Sequence, residues 1–144
     1  MLRGLETSSM PETEVNHWKA VCYFFHSFWY MELINRFGDV PWIDKVIDPE
    51  SDEAYGPRES RDVVAKNILE RLQWAEKNIG NFTSQDGTNS ITKAAVQMAL
   101  SRFTLREGTW RKYHGLSDAN TYLTECARVS KEVMDAYPRL HTGT

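Results

Sequence analysis

The sequence predicts an all-α protein built as TPR-like antiparallel helical hairpins from four main helices. Three observations predict this class. Apolar residues recur at steps of three and four in four segments, Gly and Pro collect between those segments, and no alternating strand pattern competes with them. The chain has 144 residues, 41% of them hydrophobic and 26% charged, which is enough for about one domain and unlike a disordered chain.

The first helix is expected over about residues 11–37. A capping box, Ser9-Met-Pro-Glu12, would open it, and Gly38 with Pro41 just beyond would stop it. Val21, Phe24, Phe25, Phe28, Trp29, Met31 and Leu33 cover more than one stripe. That distribution predicts a central helix with several neighbours, apolar on more faces than three partner helices cover. Residues 38–59 then form a long, linker-like connection rich in Asp, Glu, Pro and Gly; connections of this length inside a compact domain are usually functional or disordered.

The second helix, about 61–79, has the cleanest period: Val64, Ile68, Leu72, Ala75 and Ile79, with Ser60 as N-cap and Gly80 as the terminating glycine. A polar loop over 81–90 follows and contains the formal sequon Asn81-Phe-Thr83. The third helix, about 92–113, opens with small residues Ala94, Ala95 and Ala99 that permit close helix approach. Gly108 is expected to weaken its last turns by about 1 kcal/mol relative to Ala. The fourth, about 117–137, repeats Tyr122, Cys126, Val129, Val133 and Ala136 and ends at Pro138. No 34-residue self-similarity accompanies these hairpins.

A net charge of −3 gives no clustered basic surface for phosphates, so nucleic acid is not an expected partner. Cys22 and Cys126 lack zinc or redox spacing and read as small buried thiols. The residues from Met1 to Ser9 contain no apolar signal core. Ala20 to Ile34 is interrupted by His26, Ser27 and Glu32, short of the ~18–20 clean apolar residues of a membrane span. Taken alone, the chain reads as soluble and not exported.

No catalytic residues and no metal or cofactor site are predicted. Glu14-x-x-His17 has di-iron spacing, but the second such pair is missing, which leaves a surface or capping pair. His26, His114 and His141 have no ligand partner three or four residues away. The acidic loop residues Asp39, Asp44, Asp48, Glu50, Asp52 and Glu53 offer no spacing that selects a glycosidase pair and read as a solvated loop. Asp86-Gly-Thr-Asn is too poor in carboxylates for an EF-hand loop.

Three segments carry a family resemblance. Phe24-Phe25-His-Ser-Phe28-Trp29-Tyr30 leads into Phe37-Gly38-Asp39-Val40-Pro41-Trp42. Pro57-Arg58-Glu-Ser60-Arg61-Asp-Val63 opens the helix holding Ile68, Leu72 and Ala75. Ile91-Thr92-Lys93-Ala94-Ala95 leads to Arg102 and Glu107-Gly108-Thr109-Trp110-Arg111. In this order, over about residues 17–137, they resemble the SusD/RagB family of nutrient-uptake lipoproteins. The departures are Val21-Cys22-Tyr23-Phe24-Phe25-His26-Ser27, where the family usually reads Glu-Ala-Arg-Phe-Phe-Arg-Ala, and Arg71, where an Asp usually precedes Leu72. The partners of the lost charges must therefore differ or be absent.

The resemblance implies a partial domain over 1–144 of a larger SusD-like helical fold. It implies a non-catalytic protein that binds a glycan or other nutrient. It also implies a surface-exposed lipoprotein of the outer membrane, partnered by a SusC-like TonB-dependent transporter. Competing readings are a TPR-like intracellular interaction module and a fragment of an all-α glycoside hydrolase. A glycan binder needs flat aromatics beside polar groups. Trp42 and Tyr55, in the 38–59 connection near Asp44, Asp52 and Glu53, are the expected ligand-binding residues, although Trp42 also suits a seal on the end of the first helix.

Overall fold

The computed structural model describes residues 2–80 and 90–139. The elements are α1 (Leu2–Glu6), α2 (Glu12–Phe37), a 3-10 turn (Asp52–Tyr55), α3 (Arg61–Asn78), α4 (Lys93–Tyr113) and α5 (Ala119–Ala136). The four long helices agree with the sequence periodicity to within about two residues, while the short α1 carried no apolar period that would reveal it. The sequon at 81–83, the Asp86-Gly-Thr-Asn run, His141 and the side chain of Glu53 lie outside the described residues.

The helices pack as two antiparallel pairs, α2 with α3 and α4 with α5, joined by contacts of α3 with α4. The predicted face of α3 is the centre of the core. Val64, Ile68, Leu72 and Ala75 are fully buried, against Val96, Leu100 and Phe103 of α4 and Val129 of α5. Burying each of these larger side chains stabilises the fold by roughly 1.5–3 kcal/mol relative to exposure. On α5 the stripe holds at Tyr122 and Val129, but Cys126 and Val133 are only half covered and Ala136 is exposed.

Several local expectations are corrected. Pro11, not Ser9, caps α2, and no side-chain cap bond forms; the Pro11 carbonyl instead accepts from the amides of Glu14 and Val15. Ser60 does cap α3, accepting from the Val63 amide. Gly38 ends α2 at φ +68°, a conformation that favours glycine. Gly80 follows the C-cap residue Ile79 of α3, and its amide donates to His17 Nδ1 at 3.1 Å. His17 is therefore a buried residue that joins the start of α2 to the end of α3, not half of a surface pair with Glu14. Both cysteines are half-buried rather than buried.

Gly108 is a close-approach position. A Cβ there would lie 2.8 Å from the Leu123 side chain and 3.1 Å from its backbone nitrogen, so the missing side chain is what lets α5 lie against α4.

α2 departs most from its sequence reading. Its buried residues are His17, Ala20, Ser27, Tyr30 and Ile34, whereas Phe25, Phe28, Trp29 and Phe37 stay 41–67% exposed. The reason is position: α2 lies at the end of the helical array with α3 on one side. The short α1 and the flank of α4 only border its other aromatic faces, leaving Phe25 and Trp29 in a hollow beside Leu2 and Phe28 in one beside Met98. No described helix is long and apolar enough to cross a membrane.

The 38–59 connection is organised, not linker-like. Val40 and Glu59 exchange both backbone hydrogen bonds, at 3.2 and 3.1 Å, and so bring the two ends of the loop together. Asp39 accepts from the Arg61 amide at the start of α3, and the Asp48 side chain accepts from the Glu50 amide. Asp39 and Asp48 thus bond backbone amides while remaining exposed to solvent.

Candidate binding cleft

The segment after Gly38 folds back on α2 because one side chain holds it from both sides. The Tyr30 hydroxyl donates to the Pro41 carbonyl at 2.9 Å and accepts from the Ile43 amide at 2.7 Å. Tyr23, His26 and Tyr30 follow one another at helical spacing on α2. Asn67, Glu70, Arg71 and Trp74 do the same on α3. Between these rows and the returning loop is a cleft of about 330 Å³ lined by Tyr23, Trp42, Asp44, Asn67, Glu70, Arg71 and Trp74.

Arg71 organises the cleft. Its guanidinium lies 4.7 Å from the Tyr23 ring centre and 4.9 Å from that of Trp42, and it donates to His26 Nδ1 at 3.0 Å and to Asp44 at 3.2 Å. Guanidinium contact with a ring face combines electrostatic attraction with planar stacking. Trp42 is also 4.4 Å from Tyr30 and 4.9 Å from His26, centre to centre. Across the cleft, Tyr23 meets Trp74 edge-on at 5.2 Å, and the Lys19 ammonium lies over both rings.

Of the two aromatics expected to contact ligand, Trp42 lines the cleft with Asp44. It is half-buried, with neighbours on its ring. Tyr55 closes the 3-10 turn, is 84% exposed, and does not line the cleft. The residues that sequence reasoning missed are Tyr23, Asn67, Glu70, Arg71 and Trp74. The signals for them were the 67, 70, 71, 74 spacing on the polar side of α3 and the departures from the family pattern at Tyr23 and Arg71.

A second hollow adjoins the first through Asp44. It is a shallow groove lined by Leu2, Val21, Phe25, Trp29, Ile43 and Val46 with Arg3, His26 and Lys45. This groove is mainly apolar and suits a sugar less well than the aromatic and polar cleft.

Two clusters of ion pairs lie outside the cleft. Glu107 lies between Arg61 and Arg111, bonding each at 2.7 and 2.9 Å, and Arg61 also stacks on Trp110 at 4.1 Å. Arg111 bonds Asp118 at 2.6 Å and ion-pairs with Asp62 at 2.7 Å, the latter off the hydrogen-bonding direction. Burial works against the Arg111 charge, but Asp118 first, with Tyr122, Glu107 and Asp62, holds its pKa above the ordinary value. Burial pushes the neighbouring Tyr122 phenol up to about 12.

Arg128 gathers Glu76, Glu125 and Glu132. The hydrogen bond from Arg128 holds the Glu125 carboxyl below its usual range, the opposite of what a general acid requires. Among the described residues no group of three or more His, Cys, Asp or Glu is placed to hold a metal ion.

A family model described as "Starch-binding associating with outer membrane" matches residues 1–105. The chain belongs to this SusD-like family. A solved SusD-like protein from Bacteroides fragilis superposes with a TM-score of 0.65 at 24% identity. The match covers 89% of this chain and 24% of that protein, so the chain spans about a quarter of the solved structure's length. No curated protein matches.

Within the SusD-like frame, the departures noted in the sequence come together in one place. Tyr23 and His26, at positions where the SusD-like pattern usually carries arginines, both touch Arg71, which stands where that pattern usually carries an aspartate. The cation of this cleft comes from α3. Its partners are an imidazole, two ring faces and Asp44.

Proposed function

We propose that this chain is the helical part of a non-catalytic glycan- or nutrient-binding component of an outer-membrane uptake system. In this reading the whole protein is a surface-exposed lipoprotein that works with a SusC-like TonB-dependent transporter, and the described helices are a partial domain of the larger fold. The observation that carries it is the match of a starch-binding, outer-membrane-associated family over residues 1–105. The cleft supports the same reading: ring edges from Trp42, Tyr23 and Trp74 stand beside the amide of Asn67 and the carboxylates of Asp44 and Glu70, a mixture that suits the C–H faces and hydroxyls of a sugar. Tyr55, exposed on the loop, would add a contact outside the cleft.

The test is calorimetric titration of the full-length protein with a panel of oligosaccharides, with product analysis after long incubation. The variants are Trp42→Ala, Tyr55→Ala and Asn67→Ala, each checked for an unchanged melting temperature. Binding without turnover, weakened at least tenfold by Asn67→Ala or Trp42→Ala, is the expected result. Cleavage of the glycan would refute the non-catalytic reading. Full affinity in all three variants would place the site elsewhere in the protein.

A further inference from the structure

The ring nitrogens of His26 are both committed, and their partners allow one proton arrangement only. An arginine has donors and no acceptor, so Nδ1, 3.0 Å from the Arg71 guanidinium, must accept. A backbone carbonyl has no donor, so Nε2, 2.8 Å from the Ile43 oxygen, must carry the hydrogen. His26 is thus the neutral Nε2–H tautomer, and it links α3 to the loop that bears Trp42.

We infer that His26 is a proton-operated latch: neutral, it holds the Arg71 guanidinium over the face of Trp42, and on taking a proton it expels Arg71 from that face. Protonation at Nδ1 turns the acceptor that His26 offers Arg71 into a second donor and sets two cations in contact. The hydrogen bond is lost and like-charge repulsion takes its place.

The surroundings decide which group leaves. From the loop, Asp44 faces both cations and favours the protonated ring, and Lys45 borders the groove that His26 lines. From α1, Arg3 lines the same groove; from α2 itself, Tyr30 and Cys22 are neighbours. His26 remains tied by its Nε2–H to Ile43 and packed on Tyr30 and Trp42. Arg71 is held besides by Asp44 at the longer 3.2 Å and by ring faces, so the flexible arginine is the group that moves. Burial, with the Arg71 charge adding to it against the Ile43 and Asp44 contributions, keeps the His26 pKa below its ordinary 6.5. The latch therefore opens only below the pH at which an ordinary histidine titrates. It stands on the geometry of this chain and does not depend on whether the cleft takes a glycan.

The experiment is imidazole and indole ¹⁵N NMR on the full chain between pH 8 and pH 5, with the Trp42 indole assigned by its loss in Trp42→Phe. The expected result is a His26 Nε2–H tautomer at pH 8 and a midpoint below 6.5, with the Trp42 indole signal moving at the same midpoint. Arg71→Met, which removes the charge, should raise the His26 midpoint and leave only the smaller Trp42 movement that the touching His26 ring itself causes. His26→Phe should make the Trp42 signal independent of pH. An Nδ1–H tautomer, a Trp42 signal that ignores the His26 titration, or an Arg71→Met midpoint equal to that of the native chain would each overturn the inference.

Discussion

Two arginines of this chain lie over tryptophan rings, Arg61 over Trp110 and Arg71 over Trp42, yet their settings differ in kind. Arg61 is completed by Glu107, a carboxylate with 1% of its side chain exposed that also binds Arg111. Arg71 is completed by His26 and by Asp44, whose side chain is half exposed. The buried Glu107 carboxylate accepts from two guanidiniums at once. An imidazole accepts only while neutral. The first arrangement ties α3 to α4 and, through Asp118, to the start of α5, while the second ties a loop to α2 and α3 through a group whose proton solvent controls.

The comparison breaks most directly at Glu107. Glu107→Ala leaves two guanidiniums, one of them 2% exposed, without their shared counter-charge. The expected loss is about 3–5 kcal/mol, a fall in Tm on the order of 10 °C for a domain this size, read by calorimetry. A loss below about 1 kcal/mol would show that Asp62 and Asp118 suffice for Arg111.

Gly108→Ala tests the close helix contact beside that cluster, and its sign is decisive. Were Gly108 merely a weak helix residue, Ala would stabilise the chain by about 1 kcal/mol. With a new Cβ 2.8 Å from Leu123, overpacking of about 1–3 kcal/mol opposes that gain. Chemical denaturation should show a net loss.

Acidification separates the two clusters more gently. Burial lowers the pKa of both His17 and His26 below 6.5, so the unfolded chain binds more protons between the folded values and 6.5. Stability should therefore decline as pH falls through that window and level off below it. Glu125, held low by Arg128, contributes stability that is lost only further down, as pH falls through its folded value. Denaturation midpoints measured from pH 8 to pH 4 should fall first near the histidine window. A flat profile there would mean that the histidines are solvated.

The smallest expected effect is on the helix that carries the latch. Ser27 is fully buried on α2 and its hydroxyl has no hydrogen-bond partner among the described residues. Ser27→Ala should stabilise the chain by about 1 kcal/mol by removing an unsatisfied polar group. A loss of stability would reveal a partner for that hydroxyl.

The helices were legible in the residues because a 3.6-residue period is a local property. Val64, Ile68, Leu72 and Ala75 declare a buried face without reference to any neighbour, and Ser60 and Gly38 mark ends through their own side-chain and backbone chemistry. The family, too, was legible from three short segments in order. What lines the cleft was not, because Tyr23, Trp42 and Arg71 are 19 and 29 residues apart in the chain and meet only when the loop folds back under Tyr30. Nor was the role of Gly108, since a glycine in a helix looks like a defect until Leu123 is seen against it. The exposure of Phe25 and Trp29 belongs to the same class. An apolar side chain states a preference for burial, and only the arrangement of neighbouring helices decides whether it is met.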